Sequence, residues 1–358
     1  MKRNASVELS RIIACMMVIG VHTILPSCID GIYDTNRVLI SCLVGDGVAI
    51  FWIITGFFLF HSSNYQKLCV RVIKNIIVPM VLFTLFTFYC YEWIVNGIPF
   101  TQGLKRSADD YLFVIKNTIM FNTIWHTGHL WFLFAYLLVI LIFPVLKSFV
   151  LYLEQSKRRE HIFLLISFGL FLVNDITENQ LFQFSHHGFN AAIPAAIEVI
   201  WGHILYQHRE KFSKPRYMIQ SILTFLVLNI LRLMIQLNRY QSSNPNNWIL
   251  YWFSSIGLIC AVNIVILGFS VFRSQTESLF ASLVCRVASY TFCIYLIHPV
   301  IIDLLQKHGI TSQLTQMGDG FYTVSIIFIV FILSLVIAVC IQVLRKVFLY
   351  LWALIIRR

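Results

Sequence analysis

The stretch LISCLVGDGVAIFWIITGFFLFH, residues 39–61, runs for 23 residues with one charged side chain, Asp46. A helix of about 20 predominantly apolar residues crosses a hydrocarbon core roughly 30 Å thick, so this run predicts a membrane-spanning helix. Working outward, comparable runs occur at 10–28, 76–96, 129–150, 161–174, 190–207, 217–236, 248–272, 285–305 and 321–350. The run at 161–174 is shorter than a bilayer normally requires. The composition agrees with a protein folded in lipid: 58% of the 358 residues are hydrophobic and 12% charged, with mean hydropathy +0.78. Soluble domains carry about a quarter charged residues, and disordered chains have far fewer aromatics than the 15% here. The expected fold is therefore all-α: a polytopic membrane bundle of about ten transmembrane helices with both termini cytoplasmic. A single integral-membrane domain over residues 1–358, with no appended soluble domain, is expected.

The 27 Lys and Arg residues test that count. Threaded through ten spans, 20 of them fall on the side of the termini, six (Arg37, Lys105, Arg106, Lys116, Arg239 and Lys307) on the other, and Arg232 lies inside a span. Loops rich in Lys and Arg stay in the cytoplasm, which makes the first side cytoplasmic. The net charge of +11 then reflects topology, and no nucleic-acid partner is expected. The first apolar run follows a basic start, but Arg11 adjoins it, His22 interrupts it and no small-x-small cleavage pattern follows, so it reads as a retained helix. Cys15, Cys42, Cys260, Cys293 and Cys340 sit in apolar runs and read as small buried residues. An outer disulfide among Cys28, Cys42 and Cys90 is allowed by position only. No zinc spacing is present, so no metal is expected. No GxGxxG, Walker, HExxH or GxSxG pattern is present either.

Ionisable side chains inside a bilayer need a partner, a water cavity or a task. Arg11 and His22 are eleven positions apart, which brings them to nearly the same face of one helix, about 16.5 Å apart along its axis. Arg11 reads either as a headgroup-binding cation or as one end of a ligand site. His22 reads either as a structural imidazole or as a general base, since its ordinary pKa is the one closest to neutrality. Arg71 and Lys74, at i and i+3, share an α-helical face; they read either as a topogenic anchor or as a phosphate clamp. Asp46, between two glycines, could orient an imidazole such as His22, or face water at a helix break. Glu198 and Arg232 could form an intramembrane pair. His298 precedes Pro299, which releases a backbone carbonyl that a side chain or cavity must satisfy. His126 and His129 flank the outer start of a span beside Trp125 and Trp131, as an interfacial aromatic belt or a sugar-stacking surface would.

Taken in order, these residues resemble the acyltransferase type 3 family of integral-membrane acyltransferases over nearly the whole chain. The resemblance rests on Arg11 and His22, on the block from Asp46 to Leu59, and on Arg71 to Lys74 leading to Pro79. His129 to Leu133 with Pro144, Trp201-Gly202, and Ser289 to Pro299 extend it. It implies no permanently bound cofactor, with acetyl-CoA as cytoplasmic donor and a hydroxyl of a lipid-linked or nascent surface polysaccharide as acceptor. It further implies that Arg11, Arg71 and Lys74 hold the donor's phosphates, that His22 and Asp46 are catalytic, and that His129, Trp131 and His298 meet the acceptor. Lys74 departs from the paired arginines usual in the family. The chain is similar to stand-alone members that modify O-antigen or enterobacterial common antigen in the bacterial inner membrane. The alternative reading is a glycan or solute transporter, motivated by Glu198, Arg232, Asp303 and His298.

Overall fold

The computed structural model describes residues 4–23, 32–95, 97–99, 101, 127–184, 189–244, 246–250, 253–272, 278–316 and 319–356. Most of residues 97–128, the longest expected outer loop, with Trp125 and His126, lies outside the described residues, as does Cys28.

Every described element is helical. The chain runs through α1 (Ala5–Thr23), α2 (Thr35–Val44), α3 (Gly47–Leu59) and α4 (Tyr65–Val72), then a π-helical turn (Ile73–Ile77) and α5 (Val78–Ile94). After a short 3-10 turn (Gly128–Leu130) come α6 (Trp131–Leu141), α7 (Phe143–Glu154), α8 (Lys157–Ile176) and α9 (Phe189–Gln207). The short α10 (Arg209–Phe212) leads into α11 (Pro215–Gln241), a second 3-10 turn (Trp248–Leu250) and α12 (Ser255–Val271). Four more helices complete the chain: α13 (Leu279–Ala288), α14 (Thr291–Lys307), α15 (Ile310–Gln316) and α16 (Asp319–Ile356).

Among the described residues, six helical segments are long and apolar enough to cross a membrane, or up to eight if the bent pairs α6–α7 and α13–α14 each count as one span. The first pair turns by 67° where Pro144 opens α7, because proline cannot continue the preceding helix; the second turns by 58°. The other two expected spans are present as helices α8 and α9. α8 starts with Lys157-Arg158-Arg159-Glu160, and α9 contains Pro194, Glu198 and His203, which lower their apolar character. The structure thus supports a multi-pass bundle of six to eight apolar spans. On α11 and α16, Leu223, Val227, Ile230, Phe328 and Ile332 are exposed, the pattern of helices that face hydrocarbon.

The centre of the bundle is tight. A Cβ on Gly56 would lie 1.9 Å from the carbonyl oxygen of Val199, and one on Gly202 would lie 2.0 Å from that of Ile53. α3 and α9 therefore touch backbone to backbone, a packing that only glycine at these two positions permits. Cys15, Cys42 and Cys260 are buried as expected, whereas Cys293 is half-buried and Cys340 is exposed on α16, whose surface is already apolar. Cys42 and Cys90 are free thiols.

Candidate functional site

Arg11 and His22 both lie on α1, and the rise per residue sets them about 16.5 Å apart along its axis. Arg11 Nε is 3.3 Å from Oε2 of Glu8, one turn earlier, and the Glu8 side chain is itself buried. Beside this end of α1 lies a cavity of about 670 Å³, bounded by α3, α4, the π turn, α6 and α14. Its size is that of a small-molecule site. Arg11, Lys67 and Arg71 line its cationic end, close to the turn after α3, and Tyr136 and Tyr295 line its walls.

Arg71 is where the sequence places it, but Lys74 is not a lining residue. The polar cavity-lining positions on this segment are Lys67, Arg71 and Asn75, four residues apart, beside the apolar Leu68, Val72 and Ile76. The i→i+5 hydrogen bonding of residues 73–77 puts more residues in each turn than an α-helix does, so the i, i+3 rule that groups Arg71 with Lys74 fails there. Lys67 takes the second cationic position. It lies four residues before Arg71, one helical turn away, a spacing the sequence already shows.

Behind Tyr295, a wall residue of the cavity, three imidazoles meet. The ring of His22 is 5.1 Å from that of His298 and 6.3 Å from that of His129, and the latter two are 5.2 Å apart. They come from three separate elements: α1, the 3-10 turn before α6, and α14. His129 and His298 are buried, while His22 is solvent-accessible. Tyr295 joins the cluster to the cavity: it lines the cavity, its ring is 5.4 Å from that of His129, and its hydroxyl donates to the His129 backbone carbonyl.

The carbonyl freed by Pro299 belongs to Tyr295, four residues earlier, and His298 Nδ1 lies 2.8 Å from it. A carbonyl only accepts, so Nδ1 carries the proton, and in the neutral ring Nε2 is left as a bare acceptor. That Nε2 is buried without a partner among the described residues. His129 is similar: its ring hydrogen-bonds the backbone of Leu296, and its Nε2 is also buried and unpartnered. Among the described residues no group of His, Cys, Asp or Glu has metal-ligating geometry.

Two expected pairings are corrected. Asp46 does not serve His22. Its carboxylate is held by Arg232 of α11, with Nη2 to Oδ1 at 2.8 Å and Nη1 to Oδ2 at 3.1 Å, while Nη1 also donates to the Cys42 carbonyl at 2.7 Å. Both side chains are essentially inaccessible, and the two-pronged fork is the geometry that best holds a carboxylate out of water. With both Nη atoms so engaged, Arg232 is not the partner of Glu198. Glu198 is 1% exposed, and neither carboxylate oxygen has a hydrogen-bond partner among the described residues. Trp131 does not line the cavity; it packs edge-on against Phe132 and Phe253, both at 6.4 Å. The sequence also gave no role to Tyr295, although it stands in the block that ends in His298-Pro299.

A family model described as an acyltransferase domain, of the acyltransferase 3 type, matches residues 4–343. No curated protein and no solved structure matches the chain.

Proposed function

The chain belongs to the acyltransferase 3 family, and from that premise we propose that it is a multi-pass O-acetyltransferase of the bacterial inner membrane. It would move an acetyl group from cytoplasmic acetyl-CoA to a hydroxyl of a surface polysaccharide such as O-antigen or enterobacterial common antigen. What carries the reading is a cavity with a cationic end at Arg11, Lys67 and Arg71, whose wall residue Tyr295 packs against a cluster of three imidazoles, His22, His129 and His298. The 16.5 Å between Arg11 and His22 is about half of a hydrocarbon core, which suits a donor entering from one face and an acceptor from the other.

In this reading the diphosphate of acetyl-CoA lies against the guanidinium groups of Arg11 and Arg71, with Lys67 as a third, more mobile cation. The pantetheine arm follows the cavity past Tyr136, and the thioester stops near Tyr295. His22 accepts the proton of the attacking hydroxyl as the new C–O bond forms at the thioester carbon. Collapse of the tetrahedral adduct breaks the C–S bond, and the imidazolium returns its proton to the departing thiolate. His129 and His298 meet the acceptor on the other side of His22. Asp46 takes no part in these steps, since Arg232 occupies it.

Protein purified into lipid nanodiscs, given labelled acetyl-CoA with and without a lipid-linked glycan, tests the reading. CoA release that rises with glycan and disappears in His22→Ala is expected. Full activity in His22→Ala refutes the base; glycan movement without CoA release moves the assignment to transport.

A further inference from the structure

Buried polar atoms in native proteins are nearly always hydrogen-bonded, so two bare Nε2 atoms on neighbouring rings call for a physical cause. The two rings are not loosely held. Pro299 frees the Tyr295 carbonyl, His298 Nδ1 takes it at 2.8 Å, and the Tyr295 hydroxyl fastens the backbone at His129. Nδ1 of His298 thus carries that ring's proton, and the Leu296 backbone, which engages the His129 ring while its Nε2 stays unpartnered, leaves Nε2 as the bare acceptor there as well. No hydrogen bond joins the rings to each other, although their centroids are only 5.2 Å apart.

A hydroxyl has one proton to donate. One alcohol group therefore cannot serve His129 Nε2 and His298 Nε2 together, and the hydroxyl that reacts gives its proton to His22. From this we infer that the acceptor is a polyol whose reacting hydroxyl is flanked by two others, one donating to His298 Nε2 and one to His129 Nε2. The inference deepens the acyl-transfer reading and rests on it. The three ring centroids form a triangle with sides of 5.1, 5.2 and 6.3 Å, a spacing that three hydroxyls on adjacent ring carbons can address together. His129 and His298 are then acceptor-binding residues that select for the hydroxylation pattern beside the reacting carbon. A simple alcohol, or a sugar lacking a flanking hydroxyl, leaves a buried acceptor unpaired and is rejected on that ground.

The variants His298→Asn and His129→Asn test this, because an Asn amide keeps the donor near Nδ1 and offers nothing at Nε2. Acetylation of a panel of methyl hexopyranosides is compared with that of their monodeoxy analogues, each lacking one hydroxyl beside the acetylated position. The wild-type protein is expected to lose at least about tenfold in kcat/KM for either deletion. Each variant is expected to lose a similar factor with the full glycoside, to become indifferent to one deletion, and to keep its KM for acetyl-CoA. Variants that remain as sensitive as the wild type to both deletions overturn the inference while leaving acyl transfer intact. Binding is read independently from the ¹⁵N spectrum of histidine-labelled protein titrated with the same glycosides. Shifts of the His129 and His298 Nε2 signals without CoA release would sink the acyl-transfer reading and keep the polyol site, whereas unmoved signals at saturation sink the site.

Discussion

Replacing Asp46 by Ala separates two roles for a carboxylate that stands in the middle of a family block. The residue lies at the break between α2 and α3, and its two oxygens receive both prongs of Arg232 at 2.8 and 3.1 Å, in a place where neither side chain is accessible. Among the described residues, removing it leaves the guanidinium with the Cys42 carbonyl as its remaining hydrogen-bond acceptor. Loss of one member of a buried pair costs about 3–5 kcal/mol, which is roughly two to four decades in the folding equilibrium. Removing both members leaves no stranded charge, so Asp46→Leu combined with Arg232→Met is expected to recover most of that loss. Tryptophan fluorescence against denaturant in lipid nanodiscs measures stability, and CoA release per folded molecule measures chemistry on the same samples. The expected pattern is a large stability loss in Asp46→Ala, near-complete recovery in the double variant, and acyl transfer per folded molecule close to wild type in the latter. An Asp46→Ala protein as stable as the wild type but unable to transfer would refute this reasoning and restore the carboxylate as the partner of His22.

The π turn separates two lysines that look equivalent in the sequence. Lys67→Ala is expected to raise KM for acetyl-CoA by roughly 10-fold with little change in kcat, as loss of one charged hydrogen bond implies, and Lys74→Ala to leave KM within about twofold. Steady-state kinetics at constant ionic strength decides, and equal effects would place both lysines on the donor. Gly202→Ala forces a methyl group into the 2.0 Å gap before the Ile53 carbonyl, so the two helices must separate. Overpacking of this kind costs about 1–3 kcal/mol or more, visible as an earlier unfolding midpoint, and a variant as stable as the wild type would contradict the close approach.

Local periodicity made part of this legible. The stripe joining Arg11 to His22 needs only 3.6 residues per turn, and the carbonyl released by Pro299 could be anticipated because the missing proton is a property of proline itself. Pairings over long sequence distances could not be read in this way. Asp46 and Arg232 are 186 positions apart, and no local pattern distinguishes Arg232 as partner of Asp46 from Arg232 as partner of Glu198. The π turn was also invisible, because Ile73-Lys74-Asn75-Ile76-Ile77 has the composition of an ordinary helix and the extra residue per turn is a matter of packing. The span count fell short of ten for a related reason. α8 and α9 carry charged or polar side chains, Glu198 among them, that simple hydropathy penalises even where the bundle encloses them.

The contact of Gly56 and Gly202 also divides the labour around the cavity. α3 is locked to α9 by main chain against main chain, and in the segment Thr35–Leu59 61% of the most apolar window is buried. Across the cavity, Tyr65–Phe88 has 28% buried and turns most of its apolar surface outward, as a helix facing hydrocarbon does. One wall of the cavity is therefore fixed by backbone contact, and the other borders hydrocarbon. Lys67 and Arg71 are thus carried by the wall that borders hydrocarbon, away from the backbone lock of α3 on α9.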